Sequence, residues 1–280
     1  MNLIKVISDE QKILVVKVWV IREGEEGASL FKIRVSDAKG FRNVLRAIST
    51  IVDEATFVIG MDGIKLRAMD PSRVAMVDFE MKKTSFDEYE VEEETRICVS
   101  LKELLKLLRR AGKDDLIELS LDRESGHFLV TLRGRYTRTF NLPVLEASEE
   151  EVPEPKLTFN AKATLTTDDF HEILREASLV SDNIRIELNG ESLVMTAKGD
   201  VAGAKIEIDK GSDVLISMEV KEPSKATFSL DYLEEIVSAA VNTSDIMTIE
   251  FSTDMPIRLD FRQRYDGKLT YLLAPRIEVE

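Results

Sequence analysis

The chain of 280 residues is poor in the side chains that build disulfide scaffolds and metal centres, with one cysteine, two histidines and one tryptophan. A single cysteine can form neither an intrachain disulfide nor a cysteine-ligated zinc site. Cys98 lies in an apolar run, which predicts a small buried core residue. His127 and His171 are far apart, without cysteines or paired acids at ligand spacing. We therefore expect no metal site and no cofactor.

Long apolar runs are absent as well. The longest, Ile13 to Ile21, is interrupted by Lys17 and is too short to span a bilayer. We expect no membrane partner and an intracellular protein. Gly60 to Lys65 lacks the spacing of a phosphate-binding loop, and no nucleophile elbow is present.

Acidic residues outnumber basic ones by 52 to 38, a formal net charge of −14. A chain of this charge repels polyanions, so contact with nucleic acid would require a local basic surface. Two predicted amphipathic helices supply one. The helix from Ala38 to Ile51 and the helix from Leu101 to Ala111 each place apolar residues on one face and cations on another. These cations are Lys39, Arg42, Arg46, Lys102, Lys106, Arg109 and Arg110.

The segment from Ile64 to Phe79 reads as strand, turn, strand. Apolar residues alternate on either side of Asp70-Pro71-Ser72, whose residue types favour a tight turn. The remaining alternating segments of the first half predict further strands, at 31–35, 56–61, 95–99, 116–121, 127–133 and 135–141.

The pattern occurs twice. Phe41-Arg-Asn-Val-Leu-Arg46 matches Phe170-His-Glu-Ile-Leu-Arg175 at an offset of 129 residues, and other segments match at 129 or 130. Each half therefore predicts an α+β domain of antiparallel strands, with two helices covering one face of the sheet.

The predicted domains are 30–144 and 157–280. Residues 145–156 form an acidic, proline-containing connector between them. Residues 1–29 lack the regular pattern, and three interpretations stay open: an extra edge strand, a disordered tail, or sequence upstream of the true start. The last two are favoured together.

The sequence resembles the DNA sliding clamps of the proliferating cell nuclear antigen type. The resemblance covers residues 30–280 and depends on the hairpin Leu66-Arg-Ala-Met-Asp-Pro-Ser-Arg-Val74, the helix from Leu101, the acidic connector and the ending Leu272-Leu-Ala-Pro-Arg-Ile277. It implies duplicated domains of the DNA clamp fold that assemble into a trimeric ring around double-stranded DNA. It also implies a processivity factor for replication and repair, without an active site, in the cytoplasm or nucleoid.

The resemblance assigns DNA contact to Arg42, Lys106, Arg109, Arg110 and Arg175, with Lys39, Arg46, Lys102 and His171 as additional positions. The fourth helix, from Leu230 to Ala240, departs from the family because it carries Asp231, Glu234 and Glu235 and no cation. We expect it to contribute little to DNA binding.

The resemblance also implies a docking site for client proteins, namely DNA polymerase, flap endonuclease and ligase, and it implies a clamp loader. The docking positions are Met69, Val74, Met76, Leu142, Val144, Leu145, Pro256, Leu272, Ala274, Pro275, Arg276 and Ile277. The implied contact between subunits pairs the strand at 135–142 of one chain with the strand at 202–209 of the next. The neighbouring subunits are either copies of this chain or related chains.

A second hypothesis is a metal-dependent DNA-processing enzyme on a duplicated fold. Asp114-Asp115 and Asp168-Asp169 superficially resemble two-carboxylate metal sites. Their positions, in a loop and at a helix start, are equally explained by turn and capping roles.

Overall fold

The computed structural model describes residues 29–146 and 152–277. Most of the predicted N-terminal extension, residues 1–28, and the centre of the connector, residues 147–151, lie outside the described residues. In the described part each half has nine strands and two α-helices in the same order.

The first half comprises β1 (Ser29–Val35), α1 (Ala38–Ile48), β2 (Glu54–Gly60), β3 (Gly63–Met69), β4 (Ala75–Lys82), a 3-10 turn (Lys83–Ser85), β5 (Glu88–Val91), β6 (Thr95–Ser100), α2 (Leu101–Leu108), β7 (Leu116–Asp122), β8 (Phe128–Arg133) and β9 (Thr137–Leu142). The second half comprises β10 (Ala161–Thr166), α3 (Thr167–Ser178), β11 (Asn183–Leu188), β12 (Ser192–Lys198), β13 (Gly203–Asp209), β14 (Leu215–Val220), β15 (Ser224–Ser229), α4 (Leu230–Ala240), β16 (Ile246–Phe251), β17 (Ile257–Phe261) and β18 (Gly267–Leu273).

The strands form three antiparallel sheets. A five-stranded sheet has the order β5-β1-β7-β8-β9, and a four-stranded sheet has the order β13-β12-β11-β15. The third has nine strands in the order β14-β10-β16-β17-β18-β4-β3-β2-β6, so strands from both halves form one hydrogen-bonded layer. We predicted one sheet per half. The strands of each half instead divide between two sheets, and β18 pairs with β4 across the halves.

Both predicted helices of the first half exist, but each is one turn shorter than expected. In α1 the Asp37 side chain caps the N-terminus by accepting from the Gly40 amide at 2.8 Å. The hydroxyls of Ser49 and Thr50 donate to the last carbonyls of the helix, each at 2.7 Å, and so end it at Ile48. The end of α2 tightens likewise, with amides bonding carbonyls three residues back.

The four helices form one continuous layer, in which α2 contacts α1, α1 contacts α4, and α4 contacts α3. Their apolar faces are buried in the core that the sheets complete. The duplicated α+β architecture and the placement of the helices on one side confirm the predicted fold class.

Asp70 organises the turn between β3 and β4. Its carboxylate accepts from the amides of Ser72, Val74 and Ala75 at 2.6 to 3.0 Å and from the Tyr232 hydroxyl of α4 at 3.0 Å. Burial alone would raise the pKa of Asp70, but these hydrogen bonds outweigh it and lower the pKa below the usual 3.8.

Substituting Asp70→Asn should lower the free energy of unfolding by about 1–3 kcal/mol at pH 7, because the amide cannot accept all four bonds. A carboxylate whose pKa is lower in the folded state stabilises the fold at pH values above its unfolded pKa. This stabilisation is lost as the pH falls through the folded pKa. The difference from the native chain should therefore shrink as pH falls below about 4. Urea denaturation at several pH values measures this. Exposed Asp114→Asn is the matched control, and an Asp70→Asn deficit independent of pH would contradict the assignment.

Candidate nucleic-acid interface and partner site

The predicted DNA-contact residues all lie on helices of the single helix layer or at their ends. Seven are exposed, and Arg42 and His171 are half-buried. α1 and α2 are neighbours, so seven of these positions lie on two adjacent helices or at their ends. Arg175 and His171 lie on α3, at the far end of the layer. The structure thus brings seven predicted positions together and separates two from them.

Two of the predicted cations already have acidic neighbours on their own helix. Lys106 Nζ lies 3.3 Å from Glu103 Oε2, and Arg175 Nη1 lies 2.9 Å from Glu172 Oε1. All four side chains are at least half exposed. Such pairs contribute roughly 0–1 kcal/mol and are screened by salt, so a phosphate group can replace the carboxylate.

The helix α4 separates the two basic regions. Asp231 and Glu235 are exposed and Glu234 is half-buried, all on a helix placed between α1 and α3. That α4 contributes little to binding phosphate stays a prediction.

A cleft of about 310 Å³ lies where the two halves meet beside the helix layer. Lys39 and Asn43 of α1 line it, together with Arg264 from the loop between β17 and β18. The Asn43 side chain donates to the Asn242 carbonyl at 3.2 Å and so joins the halves. Sequence reasoning missed Arg264, because no helical spacing marks it and only the tertiary structure brings it near Lys39.

The predicted partner positions form two groups. In the first, Met69, Met76 and Leu272 are directly paired across three neighbouring strands, β3, β4 and β18. Met69 is 36% exposed and Leu272 is half-buried, whereas Met76 is only 6% exposed. Met76 therefore offers little surface to a partner, and it lies between Met69 and Leu272 in this apolar row.

The segment after β18 extends this first group. The Ala274 amide donates to the Val74 carbonyl at 2.9 Å, and the Arg276 amide donates to the Thr227 carbonyl at 2.7 Å. The segment therefore crosses from the β3–β4 turn to β15, between the two halves. It leaves Ile277 89% exposed. Pro256 immediately precedes Ile257, which pairs with Leu273.

The second group lies at the other edge of the nine-stranded sheet. The Leu145 amide donates to the Cys98 carbonyl of β6 at 2.8 Å. Val144 is half-buried and Leu142 is buried, so Leu142 offers little surface to a partner. Only β2 lies between β6 and β3, the strand that carries Met69, so the two groups are close neighbours on the same sheet.

The described part of the connector that begins at Val152 lies beside β3. Arg67 on β3 forms a salt bridge with Glu154 at 3.4 Å and lies 3.5 Å from the Val152 carbonyl. Arg67 also pairs with Asp78 of β4 at 3.2 Å. Acidic side chains therefore border the apolar row on the face of the sheet that carries Met69.

The carboxylate pairs considered as metal sites have structural partners. Asp169 accepts a hydrogen bond from the Thr166 hydroxyl at the start of α3. Asp115 accepts from the Gly112 amide and from Arg138. The Gly112 amide has the largest effect on the pKa of Asp115 and lowers it, burial opposes this, and Arg138 lowers the pKa further. Among residues 29–146 and 152–277, no three His, Cys, Asp or Glu side chains are grouped to hold a metal ion.

The helices of the described ranges include none long and apolar enough to cross a membrane.

Two strands lie at the edges of their sheets, although their counterparts in the other half are paired with each other. β9 is the last strand of the five-stranded sheet, and β13 is the first strand of the four-stranded sheet. In the duplicated order their counterparts are β18 and β4, which pair with each other inside the chain. The chain thus carries one completed junction and the two halves of a second.

Comparison with known proteins gives a consistent result. The family model described as proliferating cell nuclear antigen, N-terminal domain, matches residues 30–141, and the C-terminal domain model matches residues 153–276. The DNA polymerase sliding clamp of Thermofilum pendens is 39% identical over 251 residues, which cover 89% of this chain and all of the relative.

Solved structures agree. The crystal structure of PCNA from Thermococcus kodakaraensis has a TM-score of 0.83 at 31% identity and covers 88% of this chain and 100% of that one. A chain of the PCNA2–PCNA3 complex from Sulfolobus tokodaii has a TM-score of 0.81, with the same identity and coverage.

Proposed function

We propose that this chain, which belongs to the proliferating cell nuclear antigen family, is a DNA sliding clamp. It encircles duplex DNA and keeps a polymerase on its template. The observation that carries the proposal is the pair of unmatched edges, β9 and β13, which correspond to the β18–β4 junction already formed within the chain. Repeating that junction between chains would pair both edges and leave neither exposed.

Three chains of two halves each would close a ring of six similar units. The Sulfolobus tokodaii relative was solved as a complex of two different PCNA chains, which supports assembly among related chains as well as among copies. Both a homotrimer and a heterotrimer therefore stay open for this protein. The domain boundaries proposed from the sequence, 30–144 and 157–280, are kept with the connector between them.

The helix layer is the surface proposed to face DNA. Cations on α1, α2 and α3 contact phosphates, while the acidic remainder of the chain repels them. Phosphate contacts without base readout bind any sequence and permit movement along the duplex. The predicted nine positions, together with Arg264, compose this surface.

The apolar row of Met69, Met76 and Leu272, with the segment at 274–277, is proposed to bind clients. DNA polymerase, flap endonuclease and ligase would insert a hydrophobic and aromatic motif, and a clamp loader would use the same surface. Methionine side chains adapt to differently shaped anchors. The neighbouring acidic connector, which already pairs with Arg67, suits basic residues that flank such motifs.

We propose that the chain is not an enzyme and that it works with DNA in the cytoplasm or nucleoid. Incubating the purified protein with DNA and magnesium or manganese tests the first point. No cleavage is expected. Turnover that Asp169→Ala abolishes would instead support the metal-dependent enzyme.

Replacing Lys106 and Arg109 together with Glu should shorten loader-assisted processive synthesis roughly tenfold at physiological salt, because two phosphate contacts per chain become repulsive. Folding and binding of client peptides should be unchanged. Lys65→Glu with Lys83→Glu, which carries the same charge change on strand and turn positions outside the helix layer, is the control. Loss of assembly in the α2 variant, or equal loss of processivity in the control, would show that α2 does not face DNA.

Replacing Pro275 and Arg276 together with Ala should weaken binding of client peptides about tenfold, since the segment loses its shape and one cation beside the apolar row. Assembly should persist, because the backbone bond from residue 276 to Thr227 is retained. Fluorescence anisotropy with a labelled peptide measures the affinity, and exposed Arg123→Ala is the control. An unchanged affinity would remove this segment from the docking site.

A further inference from the structure

The junction between β18 and β4 ends in an ion pair. Seven residues of each strand are paired, from Gly267 opposite Met81 to Leu273 opposite Ala75. One residue beyond, Lys82 Nζ lies 2.9 Å from Asp266 Oδ1, and the Lys82 amide donates to the Asp266 carbonyl at 2.9 Å. The Asp266 carboxylate raises the pKa of Lys82. The pair thus marks the register of the junction.

The internal duplication identifies the corresponding residues on the unmatched strands. In β9, Thr139-Phe140 corresponds to Thr270-Tyr271 of β18, because Leu142 pairs with Phe128 as Leu273 pairs with Ile257. An isolated bridge follows each strand, Leu145 with Cys98 and Arg276 with Thr227, and Leu145 and Arg276 are again 131 residues apart.

The same reasoning applies to the other edge. Phe79 of β4 pairs with Leu66, and Ile206 of β13 pairs with Met195 at the equivalent place in the second half. Transferring the β18–β4 register to β9 and β13 therefore sets Phe140 opposite Ala204. It sets Arg135 opposite Asp209, at the positions that correspond to Asp266 and Lys82.

The charges at these two positions are inverted. The within-chain junction has a carboxylate before β18 and an ammonium at the end of β4, whereas Arg135 precedes β9 and Asp209 ends β13. Both are exposed, and the described part of the chain contains no ion-pair partner for either. We propose that Arg135 of one copy pairs with Asp209 of the next, as the charge-inverted equivalent of the Lys82–Asp266 pair. This inference rests on the proposed ring.

The inverted charges would favour pairing of β9 with β13 and of β18 with β4, and would disfavour the two other combinations. If β9 paired with β4, Arg135 would face Lys82, and if β18 paired with β13, Asp266 would face Asp209. Each wrong combination sets like charges opposite each other, which disfavours it. Which strand carries the positive member of the ion pair thereby distinguishes the junction that forms within a chain from the junction that forms between chains.

Apolar side chains beside the pair support the same register. Tyr271 and Val77 are fully buried opposite each other in the β18–β4 junction. Their counterparts Phe140 and Ala204 are only half-buried in the single chain. Tyr136, next to Arg135, is 67% exposed. A second copy of this chain would complete their burial.

Sedimentation equilibrium of the full chain tests the pair with four proteins: native, Arg135→Glu, Asp209→Arg and the double reversal. Each single reversal should weaken association about tenfold per junction at low salt, because attraction becomes repulsion. The double reversal should return to within about threefold of native. High salt should reduce all differences, since the pair is exposed. Asp213→Arg, an exposed change in the turn after β13, should associate like the native chain.

The outcomes separate this inference from the proposed ring. A native chain that assembles while Arg135→Glu associates equally well overturns the ion pair and leaves the ring intact. Weakened single variants that the double reversal fails to restore also overturn it, because the two residues then act independently. A native chain that stays monomeric at all concentrations overturns the pair, which names a second copy as its partner, and it excludes the homotrimer while leaving a ring with related chains intact.

Discussion

The strand pairing between β18 and β4 is the interaction on which the rest of the molecule depends. It joins residues nearly two hundred positions apart into one nine-stranded sheet, so the two halves cannot rotate independently. The Asp70 carboxylate and the segment at 274–276 strengthen this junction from the side, through Tyr232, Val74 and Thr227. The same junction aligns the helices, so that α1 and α4 meet in one layer.

That alignment explains how an acidic chain can serve DNA. With a net charge of −14, the protein as a whole repels phosphate, and only a surface on which cations converge can hold it. The helix layer collects cations from both halves on one side, while the apolar row at Met69 and Leu272 lies across the sheet junction. With these two surfaces in their proposed roles, we expect binding of DNA and binding of clients to be separable by substitution.

Local patterns predicted much of this fold and part of the site. Helical spacing identified α1 and α2 with their cations, and turn chemistry identified the hairpin at Asp70. Nothing local indicated which of several similar strands would pair across the halves, so the nine-stranded sheet was not predicted. Met76 was assigned to the partner surface by resemblance and is buried by its neighbouring strands. Arg264 was missed because it reaches the basic surface only through a loop.

A protein that surrounds DNA, rather than binding to its side, is held on a closed circle and released from a free end. The protein, with related chains if it needs them, would be loaded onto a singly nicked circular plasmid by a clamp loader and isolated by gel filtration. The plasmid would then be cut once by a restriction enzyme at physiological salt. We expect the protein to remain on the circle and to leave after linearisation, because a ring slides off a free end. Equal retention on circular and linear DNA would contradict it.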